Sequence, residues 1–260
     1  MFAESRALKA TLVAMTAPGE PTRFDAMYRD DRMANDLPAA TPWDIGGPQP
    51  VVQQLVAVGA IRGAVLDPGT GPGHHAIHFA SKGLRATGID ASPAAIERAR
   101  MNATTAGVSV DFELADAIKL EGFDGRFDTV VDSSFYHTLG DDEAVHVAYL
   151  HALHRVTRPG ARLFVFAFGP HNVNGIGMQP AVPEDNFRRL FPQTGWEITY
   201  LGTTTHQVNV SVPAFAAMVE RNPQLAGQKP MLERLRVIEG WLERGRVHLP
   251  FWEVHASRVD

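Results

Sequence analysis

Four aspartates in this chain each stand at or just past the end of a short apolar run. Asp67 follows Val65-Leu66, Asp90 follows Gly88-Ile89, Asp116 lies just past the alternating run Val108–Glu113, and Asp132 follows Val130-Val131. Asp67 leads straight into Pro68-Gly69-Thr70-Gly71-Pro72-Gly73. Glycines without a Cβ let the backbone approach a ligand closely. A carboxylate just ahead of such a loop repels a pyrophosphate and attracts an ammonium group. His74 stands where a dinucleotide fingerprint would place its third glycine, which argues against NAD. Asp90 falls about 20 residues past the loop, the spacing at which an acid reaches ribose hydroxyls. Its two oxygens can accept both hydroxyl protons. Asp132 opens a different kind of segment, Ser133-Ser134-Phe135-Tyr136-His137, whose histidine titrates near neutrality and is a candidate general base.

These residues need strands that end beside one another. The patterning predicts a strand over Val65-Leu66-Asp67 and a helix from Pro72 to about Lys82. A second strand covers Arg85–Asp90. Ser92 caps the next helix, Pro93 takes its first position and Gly107 ends it. Further strands are expected at Val108–Glu113, Gly125–Asp132, Ala161–Phe168, Trp196–Leu201 and Val247–Val259, with a helix at about Asp141–Thr157 before the fifth. Strands alternating with helices imply a parallel sheet, and ligands then sit beyond the strands' carboxyl ends. Ahead of the first strand, Phe24–Arg29 reads as helical turns and Thr41–Pro50 as a Pro/Gly loop. Trp43 in that loop is either a lid or a ring packed on the sheet edge. Residues 1–20 read as a short helix over Ala7–Met15 or as an extension. Helices at Val212–Arg221 and Met231–Glu243 interrupt the last two strands, as a cap on the substrate side, or as an added surface subdomain or dimer contact.

Composition narrows the function. The 260 residues carry 24 Lys and Arg against 29 Asp and Glu, a formal charge of −5, which is not the footprint of a nucleic-acid binder. Cysteine is absent, so disulfides and thiolate chemistry are excluded. No apolar run approaches the roughly 20 residues of a membrane span, and no convincing signal peptide opens the chain, so a cytoplasmic enzyme is the expectation. His74 and His78 lie one helical turn apart, but no Asp or Glu on that helix completes a metal site. No metal is expected. His146, His151 and His154 read as packed or solvated.

The glycine loop with Asp67, the acids Asp90 and Asp116, the Phe127-Asp128 pair before the fourth strand and Arg158-Pro159-Gly160 before the fifth together resemble class I S-adenosylmethionine (SAM) methyltransferases. The resemblance covers roughly Val51–Phe168. Pro42-Trp43-Asp44-Ile45-Gly46 is similar to a segment of thiol, halide and thiopurine methyltransferases, and more so of mycobacterial heterocyclic-toxin methyltransferases. The resemblance implies a Rossmann-like α/β sheet of seven strands, mostly parallel, in the order 3-2-1-4-5-7-6, with helices on both faces. It implies a lid segment over residues 1–50 and a methyltransferase domain over 51–260, with a helical insertion at about 203–246. SAM would be held by Gly69, Thr70, Gly71 and Gly73, with Asp67 at its amino group and Asp90 and Ala91 at the ribose. Asp116 and Ala117 would meet the adenine, and Trp43 and Ser133 would complete the pocket. His137 is the candidate base, oriented by Tyr28 and Asp132; the alternative, a histidine that only structures its loop, stays open. Phe135, Tyr136 and Trp43 would wall an aromatic acceptor. The expected reaction is O-methylation of a hydroxylated heterocycle or quinone. The alternatives are a sulfur or halide acceptor, a non-catalytic SAM-binding regulator, or another reaction on the same fold.

Overall fold

The computed structural model describes Tyr28 and residues 41–178, 180–221 and 227–260. The segment 1–20, and the turns expected around Phe24–Arg29 apart from Tyr28, lie outside the described residues. Helix α1 (Pro50–Ala57) precedes strand β1 (Ala64–Pro68). The chain then alternates: α2 (His74–Ser81), β2 (Arg85–Asp90), α3 (Pro93–Ala106), β3 (Asp111–Leu114) and β4 (Phe127–Ser133). A 3-10 turn at Tyr136–Leu139, α4 (Glu143–Val156), β5 (Thr157–Phe168), α5 (Glu184–Gln193) and β6 (Trp196–Asn209) follow. Helices α6 (Val212–Arg221) and α7 (Lys229–Ile238) lead to β7 (Arg246–Arg258). The strands form one sheet in the order β3-β2-β1-β4-β5-β7-β6, as the resemblance implies. Strands β1 to β5 pair in parallel, and β7 runs antiparallel to both β5 and β6.

Both sheet faces are buried, which is why the strands read as near-continuous apolar runs. On one face Leu66, Val130, Leu163 and Val165 pack with Tyr149 and Leu153 of α4 and Phe187 and Phe191 of α5. On the other, Val65, Val131, Phe164 and Phe166 pack with α1, α2 and α3 through Leu55, Phe79 and Ile96. Ser92 caps α3 by accepting from the Ala95 N–H at 3.1 Å, and Gly107 ends it at φ +66°.

Several boundaries differ from the sequence reading, among them β5, which starts at Thr157 rather than Ala161, and α7, which ends at Ile238 rather than Glu243; three others bear on the site. Helix α2 starts at His74 rather than Pro72, because Gly73 precedes it at φ +80°, a left-handed turn. Strand β3 begins at Asp111. Strand β6 does not stop at Leu201 but runs for 14 residues, pairing with β7 as far as Asn209 opposite Arg246. The β-branched run Thr203-Thr204-Thr205 suits that long hairpin. The insertion therefore occupies residues 210–245, with its own apolar cluster of Val212, Val219, Leu232, Leu235 and Ile238.

Candidate active site

The glycine loop leaves β1 with Gly69 at φ +67° and Gly71 at φ +52°. A Cβ on Gly71 would lie 2.7 Å from the Tyr28 hydroxyl, and one on Gly69 would lie 2.7 Å from the Phe135 ring. Glycine is thus required twice, once by backbone angle and once by close approach. These contacts bring Tyr28 and the segment after β4 onto the loop. Tyr28 is buried and its hydroxyl accepts a hydrogen bond from Trp43 Nε1 at 2.9 Å. Burial, then the nearby Asp90 carboxylate, push its phenol pKa up, so it stays protonated at neutral pH.

Asp67 is buried beneath the loop. Its Oδ2 accepts from the Thr70 hydroxyl at 2.6 Å, and the carboxylate also accepts from the Ala76 N–H. Burial pushes its pKa up to about 7 against those bonds, with Asp132 and Asp90 adding to the rise. Asp90 sits half-buried at the lip, accepting from the Gly71 N–H at 3.0 Å and the Ser92 N–H at 2.9 Å. Ala91 beside it is exposed. Asp116 lies at the outer end of the same edge with its carboxylate exposed, accepting from the Ile118 N–H at 2.9 Å, and Ala117 is buried behind it. Leu114, at the end of β3 and in register with Asp90, is 58% exposed. It is an exposed apolar residue that the sequence reading did not single out, because it lies just past the expected strand Val108–Glu113.

Past β4 lies a second group. His137 stacks on Phe168 with ring centroids 3.9 Å apart and meets Phe251 edge-on at 5.7 Å. Its Nδ1 is buried with no hydrogen-bond partner among the described residues, and burial pushes its pKa down to about 3. The ring is neutral across the physiological range. His75 accepts from the Gln49 N–H at 3.1 Å, lies 3.5 Å from Ser133 Oγ, and is also pushed down to about 3, by burial first and then by His74 and His78. His206 on β6 is buried and held well below the ordinary histidine range by burial, with His75 and His137 adding to it. Neither His75 nor His206 was legible as a site residue. His75 lay in a histidine run weighed only for metal, and His206 lay past the expected end of its strand.

Asp132 does not reach His137 by any of its hydrogen bonds. Its Oδ1 accepts from the Phe135 and Tyr136 N–H groups at 2.8 and 3.1 Å, and its Oδ2 accepts from the Tyr149 hydroxyl at 2.8 Å. It shapes the turn that carries His137. Tyr28, likewise expected to orient His137, makes its contacts at Trp43 and the glycine loop. Tyr136 is fully buried in the α4/α5 core and so walls nothing open. Phe135 is half-buried on the glycine loop. His74 pairs with Asp44 at 2.8 Å, and among the described residues no three groups are arranged to hold a metal ion.

Residues 65–160 match the family described as a methyltransferase domain. Over 162 residues the chain is 35% identical to the 2-heptyl-1-hydroxyquinolin-4(1H)-one methyltransferase of Mycobacteroides abscessus, covering 58% of this chain and 70% of that protein. The chain belongs to the SAM-dependent methyltransferase family. This methyltransferase is also 30% identical over 161 residues to a probable thiol methyltransferase of Arabidopsis thaliana, across 61% of this chain and 70% of the relative. A solved structure described by the conversion of a disulfide bond into a thioacetal group during echinomycin biosynthesis is 30% identical. It aligns over 91% of each chain with a TM-score of 0.69. The magnesium protoporphyrin IX methyltransferase of Synechocystis with bound SAH shares the fold at 19% identity, with a TM-score of 0.53 over 80% of each chain. SAM fits the loop of this methyltransferase: the closely approached glycines and the row of acids suit a cationic amine and a diol. No helix among the described residues is long and apolar enough to cross a membrane.

Proposed function

We propose that this methyltransferase transfers a methyl group to an acidic hydroxyl on a small aromatic heterocycle or quinone. SAM, when bound, supplies an electrophilic methyl carbon. Asp90 and Ala91 hold its ribose end, Asp67 its amino end, and Asp116 and Ala117 its purine, along the backbone of Gly69, Thr70, Gly71 and Gly73. Trp43 and Tyr28 close over the glycine loop and Ser133 borders the acceptor side, which excludes water. Phe168, half-buried beside His137, orients a flat acceptor, so proximity and alignment carry much of the rate. His137 takes the hydroxyl proton onto a ring nitrogen.

The observation that carries this reading is the His137 ring, held neutral between Phe168 and Phe251. Burial lowers the basicity of His137, so it assists a hydroxyl that already ionises readily more than an ordinary alcohol. It suits a hydroxyl made acidic by conjugation to a ring carbonyl. The hydroxyquinolone in the name of the Mycobacteroides relative has that character. A sulfur acceptor is the second reading, favoured by the name of the thiol methyltransferase relative.

A screen with methyl-labelled SAM tests both, using 2-heptyl-1-hydroxyquinolin-4(1H)-one, hydroxyquinones, simple phenols, thiols and halides. We expect the acidic hydroxyl compounds to turn over fastest. His137→Ala should cost up to about 10²-fold in kcat on them, the low end for a general base because the ring's basicity is reduced. Turnover of thiols or halides alone, untouched by His137→Ala, would overturn the hydroxyl reading. SAM binding with no turnover of any class would point to a regulatory protein instead.

A further inference from the structure

His206 lies on β6, outside the region where the sequence motifs cluster, yet it touches the segment that carries His137. Its Nδ1 is 3.2 Å from the Ser134 hydroxyl. Ser134 is a non-glycine residue at φ +82°, a backbone conformation that costs energy and persists only where its surroundings enforce it. The Ser134 N–H donates to Phe166 O at 3.0 Å. The strained residue is thereby fixed to β5 by its backbone and to β6 by its hydroxyl. Three residues later comes His137.

The His206 ring lies flat on Phe251, with centroids 4.1 Å apart and planes 14° from parallel, and against Phe166 at 5.1 Å. Phe251 is the same ring that His137 meets edge-on. One aromatic plate therefore separates the two histidines. His206 is 1% exposed, and its Nε2 has no hydrogen-bond partner among the described residues. An unsatisfied buried nitrogen destabilises a fold. A phenyl ring would fill the same slot between Phe166 and Phe251 without that cost. Packing alone does not explain a histidine here.

We infer that His206 is a positioning residue for methyl transfer, setting the place and tilt of the His137 ring through Ser134 and Phe251. The inference rests on the role proposed above for His137. Asp132 holds the segment by the Phe135 and Tyr136 N–H groups, and His206 holds it by the side chain of Ser134, so the turn is pinned from both sides. The long β6 hairpin is what brings His206 to it.

The test combines His206→Phe, Ser134→Gly and His137→Ala, assayed with SAM and 2-heptyl-1-hydroxyquinolin-4(1H)-one. His206→Phe should melt no lower than wild type, yet lose on the order of 10–100-fold in kcat with KM and SAH affinity within about twofold. His206→Asn, whose amide can reach the Ser134 hydroxyl, should recover part of the loss. In the His137→Ala background, His206→Phe should remove nothing further, because the two act as one unit. Ser134→Gly relieves the strained φ and deletes the hydroxyl bond; it should fold and be slower. In the ligand-free protein it should also move the NMR resonances of the His137 ring, a readout that needs no turnover. Wild-type kcat in His206→Phe overturns this inference alone. So do losses that multiply with His137→Ala, a melting temperature that falls in step with activity, or unmoved His137 resonances in Ser134→Gly. A wild-type rate in His137→Ala overturns the role of His137, and this inference with it.

Discussion

Asp132 illustrates how a residue's type and its role can separate. Its carboxylate ends a strand beside the proposed reaction centre, but its oxygens are taken by the Phe135 and Tyr136 N–H groups and the Tyr149 hydroxyl. Burial pushes its pKa up to about 7 despite those bonds, whereas the unfolded chain keeps the ordinary value of about 3.9. Between these values the folded state holds a proton that the unfolded state has released. That stabilisation is full below about pH 4 and is lost as pH rises through about 7. Asp132→Asn has no such proton to lose. Between pH 5.5 and 8, wild type should therefore lose on the order of 2 kcal/mol more unfolding free energy than the variant. Urea unfolding at the two pH values measures it. Parallel losses would mean that Asp132 is already ionised in the fold.

At the scale of elements, the Trp43 loop is tied down more firmly than a Pro/Gly sequence suggests. Asn209 donates its backbone N–H to Pro42 O at 2.7 Å and its side-chain amide to Asp44 O at 2.6 Å. Gln49 and the Gln207 backbone exchange two bonds of 2.8 Å, as a strand neighbour would. Arg246 donates to Ile45 O at 2.9 Å. The sequence reading leaves Trp43 as a lid or as a ring on the sheet edge; these bonds tie its loop to the far end of the β6–β7 hairpin. Gln49→Ala removes two of them, each worth roughly 0.5–1.5 kcal/mol net. Amide exchange across residues 41–48 should then speed up by about tenfold or more in the ligand-free protein. SAH should slow it again. Exchange unchanged by the substitution would show that the hairpin contacts do not hold the loop.

At the scale of the whole molecule, the sheet and the insertion divide the work. Apart from Trp43, the residues proposed to hold the cofactor lie on β1 to β4 and the loops beyond them, whereas the insertion has its own apolar cluster. Asn209 and Arg246 are register partners, so a two-residue Asn-Gly turn can replace residues 210–245. We expect that variant to melt lower, since Val247 and Ile176 lose their cover. It should still bind SAH within about tenfold of wild type, because its first four strands are untouched. Turnover of bulky acceptors should fall more than that of small ones. Calorimetry and the acceptor screen separate these effects. A chain that neither folds nor binds SAH would make the insertion part of the methyltransferase core.

The strands, the helices and the glycine loop were legible in the chain because they depend on local patterning, whereas the order of the strands in the sheet came from the family resemblance. Apolar runs ending in Asp67, Asp90 and Asp132, a glycine loop and the Ser92-Pro93 cap each fix a piece of backbone by nearest-neighbour sterics and burial. The alternation of strands and helices then leaves few topologies open. His137 was legible as a candidate because it follows β4 at the end of the sheet where ligands bind. Only the tertiary structure decided where the charges and bonds go. Asp132 holds a turn rather than His137, Tyr28 meets the glycine loop, and Thr70 turns inward to Asp67. His75 and His206 join the site from elements 131 residues apart in the chain, 206 − 75. No short-range pattern encodes such a meeting. It follows from the length of a hairpin, the strain at Ser134 and the burial that keeps the three imidazoles neutral, and these exist only once the chain has packed.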